Sequence, residues 1–334
     1  MKSIILLSGR LDSMLAAKIL QQQNAEVIGL HIVTPFHDNS IQAAAVAEEL
    51  GIELVIHTAA DDYIQLVAKP KWGYGSVVNP CIDCRIEMLR IAKTLMEERN
   101  ADFIATGEIV GQKPHCQMKH QLELIEREAR LTGYLVRPLS AQLLSPSEPE
   151  LQGILDRSKL FRYTGHCKRK LAARAKKLGI KIPQNTANCL LCEKSYAPKL
   201  RDLLKHEPQP DSCDIALLNA GRQIRISPNL KAVVARNQQH CEQLAELFES
   251  GNAPASMLFV PKNFNAPTCL LIGLGTIEND TERLMKLAGA LILRFTNPAK
   301  YAGISPEIIV RMNGGERVFT AAPDESANEY KVII

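Results

Sequence analysis

Three groups of residues in this chain have types and spacings that can do chemistry. Two Cys-x-x-Cys pairs stand in NPCIDCRIEML and NTANCLLCEKS: Cys81 with Cys84, and Cys189 with Cys192. Thiols paired in this way hold soft metals or carry redox and sulfur chemistry. The pairs are roughly a hundred residues apart, longer than a compact zinc ribbon, so zinc is an alternative rather than the default reading. Chance proximity with no shared role stays open. The second group is the polar stretch Ser8-Gly9-Arg10-Leu11-Asp12-Ser13, set between the aliphatic run SIILL and a helical pattern. Small residues at a helix start leave backbone N–H groups and the positive end of the helix dipole open to a phosphate. Asp12 and Ser13 could instead cap the helix. The third group is the basic run of LDRSKLFRYTGHCKRKLAARAKKLGIKIP. Lys168, Arg169, Lys170 and Arg174 there form either a solvated helix face or a strip for nucleic-acid phosphates.

These groups need elements to position them. Apolar runs at 3–7, 26–32, 53–57 and 102–105 alternate with helical patterns at 12–23, 40–51 and 83–99. Strands alternating with helices predict a parallel sheet covered on both faces, with ligands bound at its carboxyl edge. Residues 206–212 (HEPQPDS) are polar and carry two prolines, which predicts a linker. Beyond it, the runs IRISP, KAVVAR, SMLFV, CLLIGL and EIIVR surround helical patterns at about 236–249 and 278–292, a smaller α+β domain over 213–334.

Composition sets the frame. The chain has 334 residues, 46% apolar and 23% charged, with a formal net charge of +4, which fits a globular protein and is too mild by itself to argue for nucleic acid. No run is long enough to span a membrane and no signal-peptide pattern opens the chain, so a cytoplasmic protein is expected. Nine cysteines, an odd number, agree with a reducing compartment, and the five outside the pairs read as buried or inert.

The opening loop resembles the SGGxDS signature of the ATP pyrophosphatases, the PP-loop superfamily with its adenine nucleotide alpha hydrolase-like fold. It departs from that signature at Arg10, where a side chain either meets the nucleotide or turns outward and adds charge for phosphate. NPCIDCRIEML is similar to the segment of the tRNA 2-thiouridylases that carries their first functional cysteine, aligned with Cys84. NTANCLLCEKSYAPKLRDLL is similar to the segment carrying the second, aligned with Cys189. ATGEIVGQKPHCQMKHQLELIE, continuing to VRPLS, resembles the tRNA 4-thiouridine synthases around their nucleotide site. Together the resemblances cover most of residues 1–205.

What this resemblance implies is an ATP-dependent tRNA sulfurtransferase. ATP and Mg²⁺ would be held by Ser8, Gly9, Arg10, Asp12, Ser13, His31, Gly107 and Gln112. A uridine carbonyl would be adenylated and sulfur would then displace AMP. Asp12, Cys84 and Cys189 would take the catalytic roles. The sulfur would come from a 4Fe–4S cluster on Cys81, Cys84 and Cys189, with Cys192 as fourth ligand or resolving thiol, the reading preferred to a cysteine persulfide fed by a donor protein. The stretch RQIRISPNLKAVVARNQQHCEQLAELF with MLFVPKNFNAPTCLLIGLG resembles the RNA-binding domain of the NFACT proteins, which implies that the second domain holds the tRNA. Two other readings stand beside this one: an RNA-binding protein with a degenerate ATP site, and an ATP pyrophosphatase acting on a small molecule.

Overall fold

A computed structural model of the protein describes residues 1–59, 61–184, 186–251, 256–273, 281–312 and 315–333. The chain forms two compact units, Met1–Glu193 and Lys194–Ile334.

In the first unit the strands β1 (Lys2–Leu6), β2 (Glu26–Val33), β3 (Glu53–Thr58), β4 (Phe103–Thr106) and β5 (Leu135–Val136) form one sheet. Its order is β3-β2-β1-β4-β5, and all neighbours are parallel. The helices are α1 (Leu11–Gln21), α2 (Ser40–Leu50), α3 (Asp62–Ala68), α4 (Cys81–Glu98), α5 (Lys119–Glu128), the single turn α6 (Glu148–Leu151) and α7 (Lys168–Lys177). Alternate residues of β1 point to opposite faces. Ile5 joins Leu15, Leu20, Val46 and Leu171 in one core. Ile4 joins Ile28, Leu30, Ile86, Leu89 and Ile125 in the other. Burial on both faces explains why the strands read as continuous apolar runs.

From central β1 the chain moves outward through β2 and β3, then returns to place β4 on the other side. The gap between the carboxyl ends of β1 and β4 is therefore the topological switch point, where folds of this kind bind ligands.

The second unit holds α8 (Ala197–His206), α9 (Ser212–Asn219), α10 (Gln238–Glu249) and α11 (Thr281–Arg294). Its strands are β6 (Arg222–Ser227), β7 (Leu230–Val234), β8 (Ser256–Pro261), β9 (Cys269–Gly273), β10 (Glu307–Met312) and β11 (Gly315–Thr320). They form an antiparallel sheet in the order β11-β10-β8-β9-β7-β6. Ala232, Val234 and Leu271 pack with Leu284, Leu291 and Ile292 of α11 on one face. Val233, Leu258 and Leu270 pack with Leu217 of α9 and Leu244 of α10 on the other. The sequence places a linker at 206–212, whereas the division between the units precedes α8. The reason is that α8 is tied to the second sheet: Arg225 Nη2 on β6 donates to Asp202 Oδ2 at 2.7 Å. The expected helix at 278–292 begins at Thr281 among the described residues, and residues 278–280 lie outside them.

Candidate nucleotide and thiol site

The Ser8–Ser13 loop leaves β1 at the switch point. Gly9 sits at φ +72°, and a Cβ there would stand 2.8 Å from Gln42 Cβ and 2.9 Å from Ala43 N, so only glycine fits. Arg10 has φ −102° and ψ 161°, ordinary extended backbone, so a side chain at this position is unstrained. The departure at Arg10 is thus accommodated by the main chain. Neither Asp12 nor Ser13 caps α1 in the usual way. Arg10 is the N-cap and offers no side-chain cap bond. Ser13 Oγ instead stitches the loop, donating to Arg10 O at 2.9 Å and accepting from Ser8 N at 3.2 Å. The Asp12 carboxylate accepts from Ser13 N at 3.0 Å and is half-buried.

Gly107, just past β4, closes the other side of the switch point. A Cβ on it would lie 2.5 Å from Asp12 C and from Ser13 N. The TGE segment and the first turn of α1 are therefore in backbone contact. Gln112 follows in a turn built on Gly111 at φ +74°, with Gln112 N donating to Ile109 O at 3.1 Å.

His31 lies beneath the loop. It is buried, with Nδ1 2.9 Å from Leu7 O and Nε2 accepting from Asn39 N at 3.4 Å. Both ring nitrogens are engaged by main chain, so His31 braces the loop. His37 stands nearby with Nδ1 buried and unpartnered. Burial holds its pKa below the ordinary value, and the charges of His31, Arg10 and Lys113 lower it further. Arg10 and Lys113 thus bring positive charge near the loop, and they favour the neutral form of His37.

The residue that links the loop to the distant cysteines is Asn39, buried at 1% exposure. Its Nδ2 donates to Ser8 O at 3.4 Å and to Ala187 O at 3.3 Å, while its Oδ1 accepts from Ala187 N at 2.8 Å. Leu190 N donates to Phe36 O at 2.9 Å. The Cys189 segment is thereby pinned against the loop exit. Cys81 and Cys84 open α4, three residues apart and so on one helix face.

The two pairs meet. Cys192 donates a hydrogen bond to Cys189 and accepts one from Cys81, and Cys81 and Cys84 lie within electrostatic reach of Cys189. The hydrogen bond from Cys192 holds the Cys189 thiol below its ordinary pKa, against its burial. The same bond raises Cys192. Burial pushes Cys84 up to about 12, although the Tyr63 hydroxyl donates to it. Two further residues join the group. Tyr63 is 5% exposed, and Cys116, read from sequence as an inert thiol, is raised chiefly by its hydrogen bond to Cys81. Asn79 Nδ2 lies 3.2 Å from Cys81 Sγ. None of these partners has a spacing that marks it in sequence.

Under the thiols runs a buried charged network. Glu108 is paired with Arg85 of α4 and with Arg137 Nε at 3.2 Å, and Arg137 Nη1 reaches Glu126 at 2.8 Å. Burial alone would raise the Glu108 carboxyl; the two guanidiniums outweigh it and hold the group below its ordinary value. This network fixes the start of α4 against the TGE segment.

Asp12 is a half-buried carboxylate at the loop, the kind of ligand that Mg²⁺ shares with nucleotide phosphates. For a 4Fe–4S cluster the donor chemistry fits, since several thiols converge. The grouping does not: among the described residues no three Cys, His, Asp or Glu side chains are gathered so as to hold a metal ion. On the basic helix, Leu171 and Ala175 of α7 face the core while Lys168, Arg169 and Lys170 are exposed. Arg174 differs from those three, because its guanidinium is half-buried and stacks on Phe161 at 4.8 Å. Among the described residues no helix is long and apolar enough to cross a membrane.

Comparison with known proteins matches both units. Residues 1–146 match the family model described as the tRNA methyl transferase HUP domain, and residues 221–331 match the NFACT protein RNA binding domain. The tRNA-specific 2-thiouridylase MnmA of Pelobacter propionicus is 33% identical over 121 residues, covering 32% of this chain and 33% of that protein. The MnmA of Photorhabdus laumondii is 26% identical over 227 residues, covering 63% of this chain and 58% of that protein. The chain thus spans less than two thirds of the length of these curated relatives. A solved 4-thiouridine synthetase–RNA complex with bound ATP is 21% identical over 62% of this chain and 51% of that one, with a TM-score of 0.38. The chain therefore joins a parallel-sheet unit similar to the tRNA methyl transferase HUP domain to an antiparallel-sheet unit similar to the NFACT protein RNA-binding domain.

Proposed function

We propose that the protein is an ATP-dependent tRNA sulfurtransferase that makes a thiouridine in the cytoplasm. The observation that carries this reading is the meeting of both cysteine pairs beside the switch-point loop, with Asn39 bonded to Ser8 and to Ala187. Sulfur transfer to an activated carbon needs the thiols within bonding reach of the nucleotide site. All nine cysteines are free thiols, which suits a reducing compartment.

In this reading the loop and the first turn of α1 take the ATP phosphates, Arg10 adds charge there, and Asp12 would hold Mg²⁺. Magnesium, when bound, neutralises charge on the departing pyrophosphate. The uridine carbonyl oxygen attacks the α-phosphorus, and pyrophosphate leaves with the electrons of the broken P–O bond. A donor protein loads Cys189, whose pKa is lowered, with a terminal sulfur as a persulfide. That sulfur attacks the activated carbon, and AMP departs with the C–O electrons. Cys84 loses its proton to solvent and attacks Cys189 Sγ as the thiolate, forming the new S–S bond. The bond to the transferred sulfur breaks and its electrons remain on the thiocarbonyl product. The resulting Cys84–Cys189 disulfide is reopened by a thiol reductant.

Lys168, Arg169 and Lys170, together with the second unit, would hold the tRNA backbone. The test is release of AMP and pyrophosphate from ATP by the purified protein. Release that depends on tRNA and is lost in Asp12→Ala supports the reading. Release stimulated equally without tRNA would point to a small-molecule substrate, and no release at all to an RNA-binding protein without chemistry.

A further inference from the structure

Four basic side chains of the second unit converge without acidic partners. Arg236 lies two residues past the end of β7 and is exposed. Its charge acts on Lys199 of α8, on Arg222 of β6 and on His240 in the first turn of α10, so the four gather around Arg236. The main chain fixes the cluster. Arg222 Nη1 donates to Ala235 O at 3.0 Å and its guanidinium stacks on Phe295 at 4.7 Å. Lys199 Nζ donates to Leu218 O at 3.4 Å. Asn237 Oδ1 accepts from His240 N at 2.9 Å and caps α10, while His240 Nδ1 is buried with no partner.

Three other cations of this unit do have acidic partners. Arg225 meets Asp202, Lys262 meets Glu307, and Arg311 meets Glu249 and Glu316. Among the described residues no ion pair includes Lys199, Arg222, Arg236 or His240. Like charges held together unpaired oppose one another. Burial first, and these cationic neighbours second, keep Lys199, Arg222 and His240 below their ordinary pKa values.

We propose that Lys199, Arg222, Arg236 and His240 form a docking site for a phosphodiester group of an RNA backbone. Arginine and lysine only donate, and a phosphate only accepts. The fixed cap of α10 and the stacked Arg222 leave the donors pre-ordered, so little side-chain freedom is lost on binding. RNA is the occupant because residues 221–331 match an RNA-binding domain. The site reads phosphate and not base, which suits a unit with few aromatic residues for stacking. This inference rests on the reading of the second unit as RNA-binding, and Lys199 lies outside the matched stretch, so it extends that reading to α8.

The experiment is tRNA binding by the full-length protein, followed by fluorescence anisotropy across a KCl series. Arg236→Gln and Lys199→Gln should each weaken binding and reduce the slope of log affinity against log salt by about one. Arg236→Lys should keep the slope, and Lys331→Gln, an exposed cation outside the cluster, should leave it unchanged. Folded variants with wild-type slopes would overturn the site while leaving tRNA binding intact. Weakened binding with no change in slope would overturn the phosphate contact. A wild-type protein that binds no tRNA at any salt would overturn the RNA reading and the site with it.

Discussion

Gly107→Ala tests whether the switch point works as a nucleotide site. The added Cβ would stand 2.5 Å from Asp12 C and Ser13 N and 2.7 Å from Asp12 O, all main-chain atoms of the loop and α1. Carbon atoms in contact settle at about 3.5–4.0 Å, so the strand end and the loop must separate by about 1 Å. Overpacking of this kind costs about 1–3 kcal/mol of stability. A displacement of about 1 Å at a reacting site costs on the order of 10²-fold in rate. The variant should therefore fold with a lower melting temperature and lose most tRNA-dependent AMP release. Gly51→Ala is the control, since Gly51 has φ +62° but a Cβ added there would meet nothing within 4 Å, and it should lose stability alone. Calorimetry for ATP binding, beside an AMP-release assay, reads both effects. Gly107→Ala protein that binds ATP and releases AMP as wild type would refute the placement of the nucleotide between β1 and β4.

Removing the donor in Cys192→Ala should raise the Cys189 pKa, because burial then acts unopposed by that hydrogen bond. The pH midpoint of Cys189 alkylation, read by mass spectrometry of its peptide, should move upward, and an unmoved midpoint would discount the Cys192 contact. Glu108→Gln leaves Arg85 and Arg137 without their shared counter-charge and should cost about 3–5 kcal/mol. Because the Glu108 pKa is lowered on folding, wild type should hold this stability above the ordinary carboxyl value and lose it as pH falls through the folded one. Denaturant melts from pH 7 to pH 3 should show that slope in wild type and not in Glu108→Gln. Iron and acid-labile sulfide in anaerobically reconstituted protein should stay well below stoichiometric. About four of each, lost in Cys84→Ala, would move the sulfur step to a cluster.

The parallel sheet was legible because β1, β2, β3 and β4 read as short apolar runs between helical patterns, and the central strands are buried on both faces. β5, with only Leu135 and Val136, is too short to register, and the exposed β11 has a burial pattern with little apolar signal. The loop and both cysteine pairs show in sequence because each is a local pattern. Asn39, Tyr63 and Cys116 do not, since their contacts with Ser8, Ala187 and the paired thiols arise only on folding. The boundary before α8 was hidden for the same reason: Pro208 and Pro210 mark a break in the chain, but the Arg225–Asp202 pair decides which unit α8 joins. Arg10 shows the reverse. Its side chain reads as a defect in the loop, yet the backbone at φ −102° accepts it without strain.

The most direct measurement is mass spectrometry of nucleosides from tRNA incubated with the purified protein, ATP, Mg²⁺ and a persulfide donor. A uridine with sulfur in place of its carbonyl oxygen should form only with ATP, and should be absent with Cys84→Ala, Cys189→Ala or Asp12→Ala. Tight tRNA binding and ATP cleavage with every uridine left as oxygen would contradict the sulfurtransferase reading.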